Sequence, residues 1–225
     1  LIFVSCTVSN TALLSQEEPL IPHSGCEDKY FNYLISQDLK NSGDIASASE
    51  FLIKTIKCDP DSSILQLELA LIYTQMEKEE KALGVLKEAL KRDPGNVDAL
   101  VMYGRIHHGL KNIEVAKFSY EEVVARDPKR KNIYIILGSI YMEEGDFKNA
   151  ESVYDKLIVN FPDFHVGYFF LGKIHASQKK FEIAEKEFKK TLDLESELEE
   201  PKYELLEIYK ETDRSDEAIE ICQNI

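Results

Sequence analysis

The sequence predicts an all-α fold of antiparallel helix pairs stacked in series, and three observations carry that prediction. Pro60, Pro94, Pro128 and Pro162 stand 34 residues apart, and an internal period of this length marks a repeat array. Ala48, Ala82, Ala116, Ala150, Ala184 and Ala218 form an unbroken ladder with the same period. Two further ladders keep the phase: Leu39, Tyr73, His107, Tyr141, His175, Tyr209, and Leu52, Leu86, Tyr120, Tyr154, Phe188, Cys222. Within a repeat, Leu137 and Tyr141, and likewise Ala150 and Tyr154, are four residues apart. That spacing puts each pair on one face of a helix.

Residues 1–28 contain no Lys or Arg, but they carry Glu17, Glu18, Glu27 and Asp28 together with Pro19, Pro22 and Gly25. This composition favours an extended tether. Leu1-Ile2-Phe3-Val4 is an apolar run with no basic flank and no initiator Met, like the tail of a secretory hydrophobic region. Phe3-Val4-Ser5-Cys6 resembles the bacterial lipobox, with Phe3 where that pattern prefers Leu. The resemblance implies that Cys6 begins the mature protein and carries its acyl chains, and that Thr7 favours the outer membrane. The alternatives are an ordinary buried strand or a secretory signal without lipid. On the lipoprotein reading, residues 1–28 are the remnant of a signal segment plus a flexible tether.

The array occupies residues 29–225, as 29–62, 63–96, 97–130, 131–164, 165–198 and a partial sixth copy, 199–225. In each repeat the first helix ends at a turn, marked by Gly43-Asp44 and Gly145-Asp146. Gly138 and Ala150 are small where the paired helices approach. Asp59-Pro60, Asp93-Pro94 and Asp127-Pro128 close the second helix, because a residue before Pro is steered away from helical geometry. Phe161-Pro162 does the same in the fourth repeat, and Ser196 takes the place of Pro in the fifth. One helix pair cannot bury its apolar face, so neighbours must stack.

Residues 131–164 show the pattern most fully, with Tyr134, Leu137-Gly138, Tyr141, Gly145-Asp146, Ala150, Tyr154 and Pro162. On these residues the chain resembles the tetratricopeptide repeat family from residue 29 onward, which implies a right-handed α-solenoid. The sixth copy stops where its second helix should still be running, and no polar capping helix follows. The sequence is therefore read as a fragment cut at both ends, with an exposed apolar face around Ile219, Cys222 and Ile225.

Composition excludes several functions. Apolar residues at 44% and charged residues at 30% are globular values. With 27 Lys and Arg against 41 Asp and Glu, the net charge of −14 repels phosphate backbones and argues against nucleic acid. No apolar stretch approaches the roughly 18 residues needed to span a bilayer. Membrane contact would come only through a lipid on Cys6. There is no Cys-x-x-Cys, no His-Glu-x-x-His and no Gly-rich phosphate loop, so no catalytic residue, metal site or cofactor is expected. His107 and His175 stand in a ladder of tyrosines and read as packing residues, and Cys222 reads as a small core hydrophobe. Cys26 and Cys58 fall at the same end of the first hairpin. A disulfide in an oxidising compartment, or two separate thiols, are both compatible with that placement.

The resemblance also implies a binding face. In the family the first helix of each repeat lines a concave groove, through the second, fifth, ninth and twelfth places of the repeat. The fifth place is apolar throughout: Tyr33, Leu67, Val101, Ile135, Phe169 and Tyr203. Tyr30, Ile64, Leu71, Val166 and Met142 add to it, and the charged candidates are Lys40, Arg105, Lys173 and Asp98. Such a face suits a peptide whose side chains enter apolar pockets. Alternatively, the fifth-place residues pack against the next repeat and stay half exposed. The family's clamp for acidic chaperone tails needs Lys with Asn or Arg at places two and six, which are here Tyr30 and Leu34, Ile64 and Glu68, Asp98 and Met102, Asn132 and Ile136, Val166 and Phe170. The clamp is absent.

The functional expectation is a non-catalytic scaffold that binds a protein or peptide partner in this groove, within a bacterial envelope assembly, lipid-anchored and facing the periplasm. A soluble cytoplasmic adaptor, or the regulatory or targeting region of an enzyme extending beyond Ile225, are the alternatives.

Overall fold

The computed structural model describes residues 26–223, and Cys6 and Ile225 lie outside them. Among the described residues there are twelve α-helices, one 3-10 turn and no strand. They divide into two compact units that meet in sequence at Pro60 and Asp61.

The first unit is a helical hairpin. A 3-10 turn, Cys26–Asp28, leads into α1, Lys29–Ser42, and α2 is Ile45–Cys58. Ala48 and Leu52 are wholly buried, and the buried Ser36 hydroxyl donates to the Ala48 carbonyl at 2.9 Å. Of the two readings left open for Cys26 and Cys58, the structure takes the disulfide, with Cα atoms 5.1 Å apart.

The second unit holds five further pairs. They are α3 (Ser63–Gln75) with α4 (Glu79–Arg92), α5 (Val97–Gly109) with α6 (Ile113–Arg126), and α7 (Lys131–Glu143) with α8 (Phe147–Asn160). α9 (His165–Ser177) with α10 (Phe181–Leu194), and α11 (Glu199–Glu211) with α12 (Ser215–Gln223), complete it. Each helix packs on the next in sequence, and α7 touches α9 as α9 touches α11. The core is deepest in the middle, where Tyr134, Leu137, Tyr154 and Leu157 are buried to 1% exposure or less.

One local motif repeats six times. Within two residues of the end of each first helix one residue takes a left-handed backbone: Gly43, Glu77, Lys111, Gly145, Lys179 and Asp213. Its N–H and that of the following residue return to carbonyls of the last turn, as in Gly145 to Met142 at 3.0 Å and Asp146 to Tyr141 at 2.8 Å. This is a Schellman closure. The sequence marks it only at Gly43 and Gly145. At the far end of each pair the backbone is again uniform. Asp93 and Asp127, both before Pro, have φ of −128° and ψ of 86° and 83°. Glu195, followed by Ser196, adopts nearly the same conformation at −147° and 91°, so the packing of the next pair holds it there without a proline.

Cys222 departs from the core role its ladder suggests, because it is exposed with a free thiol. Ile219 beside it is 57% exposed.

Candidate functional site

The residues expected to form a groove sit on the first helices of the pairs, and their environments differ. Tyr30 and Tyr33 belong to α1 in the first unit, Tyr30 exposed and Tyr33 half-buried. In the second unit Ile64, Leu71 and Arg105 are exposed, whereas Leu67, Val101, Ile135, Met142, Val166, Phe169 and Lys173 are half-buried. Leu67 packs on the core of α3–α5, and Val101, Ile135 and Met142 pack on the central core. Phe169 lies 6.0 Å from the Phe188 ring. The fifth place is therefore chiefly a packing position with one open edge.

Two of the charged candidates are paired within the chain. Lys173 approaches Glu204 at 3.6 Å and lies over the Phe169 ring. Asp98 accepts from Arg130 at 2.7 Å, and Arg130 also holds Asp127 at 2.9 Å. Hydrogen bonds to Asp127 and Asp98 push the Arg130 guanidinium further up. Glu204 and Arg130 lie outside the places counted from sequence, and because one pairs a groove cation and the other the groove acid, together they leave the net charge of that face unchanged. Arg105 is exposed and has no ion pair among the described residues.

Leu71 and Arg105 do come together. With Thr74, Glu79, Met102, Ile106, Gly109 and Leu110 they line a cavity of about 330 Å³ between α3 and α5. Its size is at the low end for ligand sites, roughly 300–1,000 Å³. A second cavity, about 370 Å³, is lined from α6, α7 and α8 by residues including Glu121, Tyr134, Tyr141, Lys156 and Asn160. Sequence reasoning proposed nothing there.

The polar contacts that join neighbouring pairs were also missed. Lys117 on α6 holds Glu144 at the end of α7 at 2.7 Å and lies over Tyr141. Its ammonium is held well above the ordinary lysine range by Glu114 and Glu144. The Tyr141 hydroxyl donates to Glu121, and burial followed by that carboxylate pushes the phenol up. Glu185 on α10 accepts from Arg214 at 2.5 Å and from the Tyr209 hydroxyl at 3.1 Å. Arg214, ahead of Lys189 and Tyr209, holds the Glu185 carboxyl down at about 2 against the opposing effect of burial. The signal in the sequence was a charged residue at one place of the repeat, seen in Lys117, Glu151 and Glu185.

The two ladder histidines pack as expected. The His107 ring lies 4.4 Å from Tyr103, and burial pushes its pKa down. His175 is 6% exposed, with Nε2 3.5 Å from Glu151. Among the described residues no group of three or more His, Cys, Asp or Glu side chains could hold a metal ion. No helix there is long and apolar enough to cross a membrane.

The paired helices, the 34-residue phase and the left-handed closures agree with the comparisons to known proteins. The tetratricopeptide repeat family model matches residues 65–98, 97–130 and 132–158. Residues 65–158 carry tetratricopeptide repeats. Among solved structures, a MamA protein is 24% identical and aligns over 76% of this chain and 93% of its own, with a TM-score of 0.64. A tetratricopeptide repeat protein from Parabacteroides merdae is 17% identical over 87% of this chain and 78% of its own, with a TM-score of 0.65. YrrB, described as a tetratricopeptide repeat protein with an unusual peptide-binding site, is 16% identical over 78% and 91%, with a TM-score of 0.64. At these identities the likeness is one of fold. No curated protein sequence matches significantly. Within the tetratricopeptide array, the first helices thus carry the exposed Ile64, Leu71 and Arg105 and the cavity at the α3–α5 contact.

Proposed function

We propose that the protein is a non-catalytic scaffold whose tetratricopeptide repeats bind a protein or peptide partner along the first helices of the pairs. The observation that carries this reading is the cavity between α3 and α5, where exposed apolar side chains meet an unpaired cation. Apolar pockets with a few polar groups at their rim suit peptide side chains. YrrB, a neighbour in fold, is itself described with a peptide-binding site.

Ile64→Glu and Leu71→Glu alter side chains that are 71% and 40% exposed, and Val159→Glu alters one that is 81% exposed on a second helix. The folded state should tolerate all three. Captured from cell-envelope extract, the partner should be lost with the first two and kept with Val159→Glu. The opposite pattern would move the binding face to the second helices.

We further propose that the scaffold works in a bacterial envelope, anchored through Cys6. The lipobox-like Phe3-Val4-Ser5-Cys6 supports an anchor, and the Cys26–Cys58 disulfide supports an oxidising compartment. Cys6→Ser should release the protein from the membrane fraction, and unchanged fractionation would sink the anchor.

A further inference from the structure

We infer that the α3–α5 cavity reads one particular element of the partner, a large apolar side chain flanked by a carboxylate and by a hydrogen-bond donor. This inference rests on the groove reading above and narrows it to a single subsite.

In an array of near-identical repeats, the positions that break the pattern are the informative ones. At the thirteenth place the repeats carry Asn41, Gln75, Gly109, Glu143, Ser177 and Glu211. Only Gly109 lacks a side chain, and a Cβ built on it would meet nothing within 4 Å. At the next place Ser42, Glu144, Gln178 and Thr212 are polar and Met76 and Leu110 are apolar, Met76 half-buried and Leu110 46% exposed. Gly109 thus leaves a space, and the exposed Leu110 beside it lines the edge with hydrocarbon. Leu71 and Leu110 account for two of the chain's exposed large apolar residues, and both border this one cavity. Exposed apolar groups gathered around a concavity mark a binding site more often than scattered ones do.

The charges on the walls define the rest. Arg105 and Glu79 both line the cavity, yet neither forms an ion pair among the described residues, with each other or with any other group. Elsewhere on the first helices Lys173 and Asp98 are matched within the chain. Glu79 lies in the first turn of α4. An occupant with an acid toward Arg105 and an ammonium or amide toward Glu79 would complement both, and its apolar side chain would fill the space over Met102 and Ile106. The occupant is therefore a segment of a second protein with an acidic–apolar–basic pattern, such as Asp-Leu-Lys.

The test uses the full chain with its Leu, Ile, Val and Met methyls observed by NMR, and three synthetic peptides in one Gly-Ser host. Their centres are Asp-Leu-Lys, Lys-Leu-Lys and Asp-Ala-Lys. At millimolar concentration Asp-Leu-Lys should shift the methyls of Leu71, Met102, Ile106 and Leu110, and the other two peptides should do so far less. Arg105→Glu should weaken the Asp-Leu-Lys response about tenfold. Gly109→Gln restores the residue type of Gln75 and should abolish the response while leaving the melting temperature unchanged or higher. Equal response to all three peptides, or none to any, would overturn the inference. If the methyls of Val101, Ile135 and Met142 respond while the cavity stays silent, the groove reading stands and this subsite falls. If Val159 or Ile183 on the second helices responds instead, both fall.

Discussion

At the eighth place of the repeat, the size of one side chain sets the size of another. Gly104, Gly138 and Gly172 lie under Tyr120, Tyr154 and Phe188, and a Cβ at Gly104 would sit 2.8 Å from the Tyr120 ring. Where the partner position is Leu52 or Leu86, the eighth place is Ser36 or Ala70. The helices keep their separation because bulk moves from one side to the other. Gly138→Ala should therefore cost about 1–3 kcal/mol by overpacking. In a Tyr154→Leu background the same change should be neutral or gain about 0.5–1 kcal/mol, since Ala suits a helix interior better than Gly. Equal costs in the two backgrounds, measured by urea denaturation, would refute the size rule. Gly138 and Ala150 were legible as small interface residues. The left-handed residues were legible only in part, because Glu77, Lys111, Lys179 and Asp213 take that conformation without being glycine. Backbone hydrogen bonds, not residue type, hold them there.

Between elements, the junctions are fastened by polar clasps as well as by apolar packing. Glu185 is the clearest, taking bonds from Arg214, Lys189 and Tyr209 on α10, α11 and the turn before α12. Its folded pKa of about 2 lies below the ordinary carboxyl value of 4.5, so the clasp stabilises the fold above that ordinary value. The contribution is lost as pH falls from about 4.5 to about 2. Asp155 and Glu187 have the opposite sign. Burial raises both, so their penalty is absent at low pH and grows as pH rises through their folded values. Glu185→Gln should lower stability at neutral pH by about 1–3 kcal/mol, because the buried Tyr209 hydroxyl and two cationic donors lose a charged acceptor. The variant should also lose stability less steeply on acidification than the parent. Parallel urea midpoints for the two proteins across the acid range would show the clasp to be absent. The partners on other helices could not be paired from the sequence, since they are 20 or more residues apart and the acids are abundant.

For the whole molecule, stability in a repeat array is a sum of local units and their interfaces, and the first unit has a covalent staple that the others lack. Closing the segment from Cys26 to Cys58, a separation of 32 residues, is worth about 3–4 kcal/mol by the chain-entropy account. Reduction, or Cys58→Ser, should strip amide-exchange protection from α1 and α2 while α7 to α10 keep theirs. Uniform loss across all helices would show that the staple acts on the chain as a whole. The net charge of −14 is not spread evenly at the level of contacts either. Lys173 and Asp98 are matched by neighbours, and Arg105 stands apart in its cavity.

The period, the helix pairs and their order are all readable along the chain. A 34-residue spacing of small, aromatic and proline residues is a local pattern, and local patterns survive without a folded chain. It also placed Leu71 and Arg105 among the groove candidates. Which of those candidates meet depends on the folded chain. The neutralisation of Lys173 by Glu204, the half-burial of Ile135 and Phe169, and the cavity opened by Gly109 all depend on side chains from adjacent repeats. Such contacts are set by how one pair packs on the next, and a one-dimensional ladder does not contain that distance.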